Sequence, residues 1–256
     1  MNGQLAAVTG AARGMGREVA LALARAGCDV ACLDTRQDLL PTVAEQIKRF
    51  GRRGLVIPCD VSHYDAVVSA FARVDAEFPH VDILVNMAGI IGASMPAVNV
   101  SSRDWEHMLA VNLSGTFWCA QEAARRMAPR QRGKIVNFSS LAGLTFRRNS
   151  QLVPYSVSKA GVVMLTKALA AEWGPDGICV NCIAPGTHLT DMGRDLHGTP
   201  EAFDAYIEKA KQFTPLRRVA EAPEIAPLVL FLASAGADYI TGQVICADGG
   251  RGIWYE

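Results

Sequence analysis

The sequence predicts an α/β fold: a doubly wound, mostly parallel sheet of seven strands with helices on both faces. Three observations carry that expectation. Short apolar runs alternate with helical patterns along the 256 residues. The strand-like runs are apolar almost throughout, as strands buried on both faces are. A glycine cluster falls where the first strand turns into the first helix, the place where open α/β sheets bind ligands.

The elements follow in order. "LAAVT" (5–9) is the first strand, and a helix runs from about Arg13 to Ala26. "CDVACLD" (28–34) is the second strand, before the helical "LLPTVAEQIKRF" (39–50). "GLVIPCD" (54–60) precedes a helix from about Tyr64 to Phe78, and "VDILVN" (81–86) precedes a long helical pattern from about Ser102 to Met127. "GKIVNFSS" (133–140) leads towards a helix carrying Tyr155, and "ICVNCIAP" (178–185) is the sixth strand. A variable stretch at about 187–214 reads as a substrate lid. The helix "PEIAPLVLFLAS" (223–234) then leads to the last strand, "QVICAD" (243–248). Right-handed crossovers make this one Rossmann-type domain over residues 1–256.

Composition excludes several functions. Basic and acidic residues number 25 each, for a net charge of +0, so no nucleic-acid footprint stands out. No apolar run is long enough to span a membrane, and no signal-peptide pattern precedes the first strand, so the protein is expected to be cytoplasmic. The seven cysteines are an odd number for a disulfide framework. Cys179 and Cys182 form a C-x-x-C, but positions three apart on a strand point to opposite faces. No second pair completes a zinc site, so no metal is expected. The expected partners are small molecules and further copies of the chain.

"VTGAARGMGRE" (8–18) places Gly10, Gly14 and Gly16 where a dinucleotide's phosphates meet free backbone N–H groups and a helix dipole. Asp34 lies about 20 residues further on, at the end of the second strand, placed to accept from ribose hydroxyls and repel a 2′-phosphate. The cofactor is therefore expected to be NAD, with NADP less favoured. Arg13 and Arg36 oppose that choice, since either could grip a 2′-phosphate. In "LVPYSVSKAG" (152–161), Tyr155 and Lys159 stand four residues apart and share one helical face.

These pieces, with "CDV", "NMAG", "VNLSGTF", "NCIAPG" and "ITGQVICADGG", resemble the short-chain dehydrogenase/reductase family from about Gly3 to Gly250. Met87 departs from it, standing where the family often has asparagine. The spacing from the serine motif to Tyr155 is also longer than is common, which implies an enlarged substrate loop. The resemblance implies catalysis by Ser140, Tyr155, Lys159 and Asn112. Asn112 would sit in a local helix irregularity and relay protons to Lys159 through a water. Ser139, the rival to Ser140, would face the cofactor. The resemblance also implies cofactor contacts from Gly10, Arg13, Gly14, Met15, Gly16, Asp34 and Thr35. Further contacts would come from Asp60 and Val61 at the adenine, Asn86, Ala88 and Gly89 in the channel, and Pro185, Gly186 and Thr187 beside the nicotinamide. Tyr155 and Lys159 would touch the cofactor as well. A homotetramer is expected on the same ground.

A free tyrosine ionises near pH 10, too high for a proton shuttle at neutral pH. Lys159 and the oxidised nicotinamide are expected to pull Tyr155 down by roughly two to three units, about 3–4 kcal/mol. Substrate contacts are expected from Ser140, Tyr155, Arg147, Arg148 and His188, with Arg194 and His197 as further polar groups. They point to a sugar, polyol or hydroxy acid bearing an anionic group, unless those charges are solvated or lie at subunit contacts. The tail residues Trp254 and Tyr255 are expected to pack back or reach a neighbour. By the resemblance, the leading reading is an NAD-dependent oxidoreductase that interconverts a small-molecule secondary alcohol (sugar, polyol, hydroxy acid or cyclic alcohol) and its ketone; an NADP-dependent carbonyl or 3-ketoacyl reductase is the alternative activity, and a non-catalytic dinucleotide-binding regulator is a third reading.

Overall fold

The computed structural model describes residues 1–145 and 150–253. Its elements are β1 (Leu5–Thr9), α1 (Gly14–Arg25), β2 (Asp29–Asp34), α2 (Leu40–Lys48), β3 (Gly54–Pro58), α3 (Tyr64–Glu77), β4 (Ile83–Asn86), α4 (Ser102–Leu109), α5 (Gly115–Met127), β5 (Gly133–Phe138), α6 (Val153–Trp173), β6 (Ile178–Pro185), β7 (His188–Leu189), α7 (Asp191–His197), α8 (Pro200–Gln212), β8 (Ala220–Glu221), α9 (Ala226–Leu232) and β9 (Val244–Ala247).

Alternation of side chains across a strand builds two cores. Ala6 and Val8 of β1 pack with Val19, Leu23, Leu40, Ile47 and Val229 on the α1, α2 and α9 side. Leu5 and Ala7 pack with Val67, Phe71, Cys119, Met127 and Leu169 on the α3, α5 and α6 side. Each fully buried large side chain contributes about 1.5–3 kcal/mol, so the sheet is a stiff base for what its ends carry.

The seven strands run β3-β2-β1-β4-β5-β6-β9, and every pairing is parallel. The chain leaves the β3 edge and re-enters beside β1, so the order reverses between β1 and β4. A crevice opens at the carboxyl ends of strands at such a reversal. Thr9 and Asn86 pair there, at the ends of β1 and β4.

The local irregularity expected at Asn112 is present: a π turn at Ala110–Ser114 interrupts the long pattern from Ser102 to Met127 and separates α4 from α5. One expectation is corrected. The stretch at 187–214 is largely helical, with β7 pairing β8 in a small parallel sheet and α7 and α8 following. Among the described residues, no helix is long and apolar enough to cross a membrane, and no group of three or more His, Cys, Asp or Glu could hold a metal ion. Trp254 and Tyr255 lie outside the described residues.

Candidate active site

The turn from β1 to α1 is shaped by what glycine lacks. Gly10 has φ +67°, and a Cβ there would lie 2.8 Å from the Ala88 nitrogen. A Cβ on Gly16 would overlap the Gly10 carbonyl oxygen, so α1 can start this close to the turn only without side chains. Arg13, at the N-cap of α1, makes no side-chain cap bond. The first N–H groups of α1 therefore remain free for an anion. The Thr9 hydroxyl accepts from Met87 N and Ala88 N, both at 3.1 Å, which locks the ends of β1 and β4 together. These residues fit a dinucleotide's diphosphate.

The Asp34 carboxylate accepts from Ala12 N and Arg36 N, each at 2.9 Å, and stands beside the glycine turn. Both arginines that could answer a 2′-phosphate are engaged. Arg36 makes two bonds to Asp38, at 3.0 and 2.9 Å, and Arg13 reaches Asp195 of α7 at 2.7 Å. Thr35 is exposed. Asp60 accepts from Ser62 N at 2.9 Å and its hydroxyl at 2.7 Å, while Val61 is buried against Gly115. Asn86 is buried beneath the crevice, its amide donating to Thr116 O at 3.2 Å and Asn137 Oδ1 at 3.0 Å.

The structure brings Ser140, Tyr155 and Lys159 to one wall of a cavity of 780 Å³, together with Met15, Gly89 and Thr187. Pro154 in the first turn of α6 tolerates a position where no intrahelical N–H bond is needed. The Ser140 hydroxyl accepts from Ala142 N at 3.2 Å and lines the cavity together with Tyr155. Ser139 is committed elsewhere: it is buried, and its hydroxyl donates to Lys159 O at 2.7 Å. Lys159 Nζ donates to Phe138 O at 2.9 Å and lies 5.9 Å from the Tyr155 ring centroid. Beside Gly89, a Cβ would come within 3.3 Å of Asn112 Oδ1 and 3.4 Å of Lys159 Nζ.

The π turn has a visible consequence. It carries Asn112, which is fully buried. Asn112 Oδ1 accepts from Ile90 N at 2.8 Å, and Nδ2 donates to Ile90 O at 2.9 Å and Ser158 Oγ at 3.0 Å. Ser158 in turn donates to Tyr155 O at 2.7 Å. Asn112 thus ties the loop after β4 to the first turns of α6, where Tyr155 sits. Ser158 is a link that sequence reasoning missed, and only its place one turn after Tyr155's predecessor hinted at it.

The electrostatics correct one expectation. Burial pushes the Tyr155 hydroxyl above its ordinary pKa of 10.0, and the Ser140 hydroxyl offsets only part of that. Lys159 does not pull it down from where it stands in the protein alone. Burial in turn lowers Lys159 from 10.5 to about 8. Of the proposed substrate contacts, Arg147 and Arg148 lie outside the described residues. His188 lines the cavity, but burial lowers its pKa, so it is a neutral ring at neutral pH and not a cation. Arg194 stacks over Phe203 at 5.0 Å. His197 stacks on Tyr206 at 4.3 Å, and both line the cavity. Tyr206 and Arg251 are cavity residues that sequence reasoning missed. An aromatic pair spaced i,i+3 on α8, Phe203 and Tyr206, was the available signal for the first; nothing local marked the second.

A family model described as enoyl-(acyl carrier protein) reductase matches residues 10–251. Galactitol 2-dehydrogenase (L-tagatose-forming) of Cereibacter sphaeroides is 37% identical over 99% of this chain and 97% of its own length. The 3-oxoacyl-[acyl-carrier-protein] reductase of Aquifex aeolicus is 38% identical, covering 98% of each. A solved gluconate 5-dehydrogenase from Burkholderia cenocepacia, in complex with NADP and tartrate, superposes with a TM-score of 0.91 at 33% identity, over 100% of this chain and 97% of that one. A solved NAD+-bound xylitol dehydrogenase gives 0.90 at 29% identity, over 97% and 99%.

Proposed function

This chain belongs to the short-chain dehydrogenase/reductase family, and we propose that it interconverts a secondary alcohol and its ketone with NAD, using Tyr155 as the proton-transfer residue. The observation that carries this reading is that Ser140, Tyr155 and Lys159 line one cavity that reaches Met15 in the glycine turn. The nicotinamide cofactor, when bound, supplies the hydride acceptor or donor and, oxidised, a positive charge. Gly10, Gly14 and Gly16 with the start of α1 would hold its diphosphate, Asp34 its adenosine ribose, and Lys159 its nicotinamide ribose.

Tyr155 Oη moves the proton of the reacting hydroxyl. Its raised pKa keeps it protonated in the protein alone, which suits donation to a ketone oxygen. Ser140 donates to that same oxygen and orients it, in the manner of an oxyanion donor. Asn112 acts behind them by holding Tyr155's backbone through Ser158. The helices α7 and α8 serve as a lid over the cavity, and Arg13–Asp195 joins that lid to the glycine turn. NAD is favoured over NADP because Asp34 stands at the ribose position while Arg13 and Arg36 are spent on carboxylates. Exposed Val157 and Met164, seven residues apart on α6, support assembly through that helix, and the reading includes a homotetramer.

A second reading, an NADP-dependent 3-ketoacyl reductase, is favoured by the Aquifex aeolicus relative and by the NADP held in the solved gluconate 5-dehydrogenase. Assaying polyols, hydroxy acids and ketoacyl thioesters with both cofactors separates the two. Tyr155→Phe is expected to lose turnover by at least about a thousandfold while reduced-cofactor fluorescence still reports binding. Turnover surviving in Tyr155→Phe overturns the assignment.

A further inference from the structure

Arg251 is the charged residue of the cavity wall that the chemistry above does not use. It is only 9% exposed and shares the cavity with Ser140 and Tyr155. A guanidinium cannot shed its proton to escape burial, so a buried one needs a compensating anion. Among the described residues, eight other arginines hold a carboxylate. Among the described residues, Arg251 holds none. Its partner is the neutral Thr187 hydroxyl, to which Nη1 donates, and that hydroxyl also meets Tyr206 Oη at 3.2 Å.

No aspartate or glutamate lines the cavity among the described residues. The acid nearest in the chain, Asp248, spends both oxygens on backbone: Oδ1 accepts from Gly250 N at 2.9 Å and Oδ2 from Gly252 N at 2.7 Å. Those bonds, with Gly249 against Thr214 and Gly250 against Pro215, fix the turn on which Arg251 is mounted. The turn therefore starts Arg251 at the cavity, and the bond to Thr187 holds its guanidinium on the wall. Hydroxyls complete the wall: Ser94, Thr145, Thr187 and Ser150, the last with a buried Oγ that has no hydrogen-bond partner among the described residues.

We propose that Arg251 receives a carboxylate of the substrate, so that the alcohol handled here is a polyhydroxy acid held by its acid end at Arg251 and by its carbinol at Ser140 and Tyr155. This rests on the dehydrogenase reading above. A planar guanidinium matches a carboxylate with two parallel bonds. A phosphate dianion would call for a second cation, and among the described residues the other lysine or arginine of the cavity wall, Lys159, is bonded to Phe138 O.

The test uses two matched pairs, D-gluconate with sorbitol and L-tartrate with threitol, on wild type, Arg251→Met and Arg251→Lys. Turnover is read with both cofactors, and binding by calorimetry with reduced cofactor present, so that no oxidation occurs. Wild type is expected to favour the acid of a pair by at least tenfold. Arg251→Met should lose on the order of 100-fold in the acid's kcat/KM, mostly through KM, at least about tenfold more than the polyol loses, with Arg251→Lys recovering part of the loss. The proposal is overturned if wild type binds and turns over polyols as well as their acids, a comparison that needs no variant, or if Arg251→Met weakens both members of a pair equally. Acid binding that depends on Arg251, without turnover of any alcohol by wild type, supports the carboxylate site and removes the dehydrogenase reading instead.

Discussion

Lys159 is placed where function requires a charge and stability does not, and Lys159→Met measures that conflict. Its side chain is 6% exposed, and burial lowers its pKa from 10.5 to about 8. At about 1.4 kcal/mol per pH unit, the gap of 2.5 corresponds to about 3 kcal/mol of folding stability forfeited at neutral pH. Below pH 8 the ammonium is charged in both the folded and the unfolded chain, and the cost is full. Between pH 8 and 10.5 the unfolded chain holds the proton that the folded one has released. Stability therefore rises with pH through that window, and the cost is gone above it. Methionine removes the charge but leaves Phe138 O without its 2.9 Å bond, a loss of about 1–3 kcal/mol. Lys159→Met is thus expected to be about 1–2 kcal/mol more stable than wild type at pH 7 and less stable by about 1–3 kcal/mol at pH 10.5. Urea unfolding followed by circular dichroism at pH 7, 8.5 and 10 reads the crossing, and the variant should be inactive throughout. A stability difference that stays constant from pH 7 to 10 refutes the reasoning.

Asn112→Ala orphans the Ile90 N–H and C=O together and should cost about 2–4 kcal/mol in urea unfolding. It should also lower kcat more than cofactor affinity, because the tie to Tyr155's backbone through Ser158 is lost; unchanged kcat in the folded variant contradicts a positioning role. Asp34→Ala removes the carboxylate at the ribose position and releases Arg36 N and Ala12 N. The ratio of kcat/KM for NADP to that for NAD should rise at least tenfold, and a ratio that does not move means that Asp34 does not set cofactor choice.

The seven strands were legible because each is a short, almost wholly apolar run, and burial on both faces writes itself into composition. Helices α1 and α3 were legible from their periodicity to within a residue or so at each end. The break at Ala110–Ser114 was not legible from periodicity. A π turn adds a single residue to one turn, and the apolar pattern on either side of it continues without a visible gap. What pointed to it was Asn112 itself, a polar residue fully buried between apolar neighbours, whose amide is used up by the Ile90 backbone and Ser158. The helices α7 and α8 were hidden for a different reason: Gly198 and Pro200 have the residue types of a loop, and here one caps the end of α7 and the other starts α8.

The site divides along the same physical line. Ser140, Tyr155 and Lys159 were readable because two of them share one helix and the third ends a strand at the sheet's carboxyl edge, so local geometry already places them. Arg251 was not, since its meaning comes from what surrounds it in space: a cavity without acids, and a carboxylate neighbour spent on backbone. The pKa of Tyr155 shows the same limit from the other side. Four-residue spacing to a lysine suggested a lowered value, but spacing says nothing of desolvation, and burial acts on both groups at once. It raises the phenol and lowers the ammonium, so the protein alone sets the pair towards neutrality. The charge that shifts Tyr155 towards proton acceptance has to arrive with the cofactor. Proton release from Tyr155 would then be coupled to binding of an oxidised cofactor, and the base would form only in the complex that can use it.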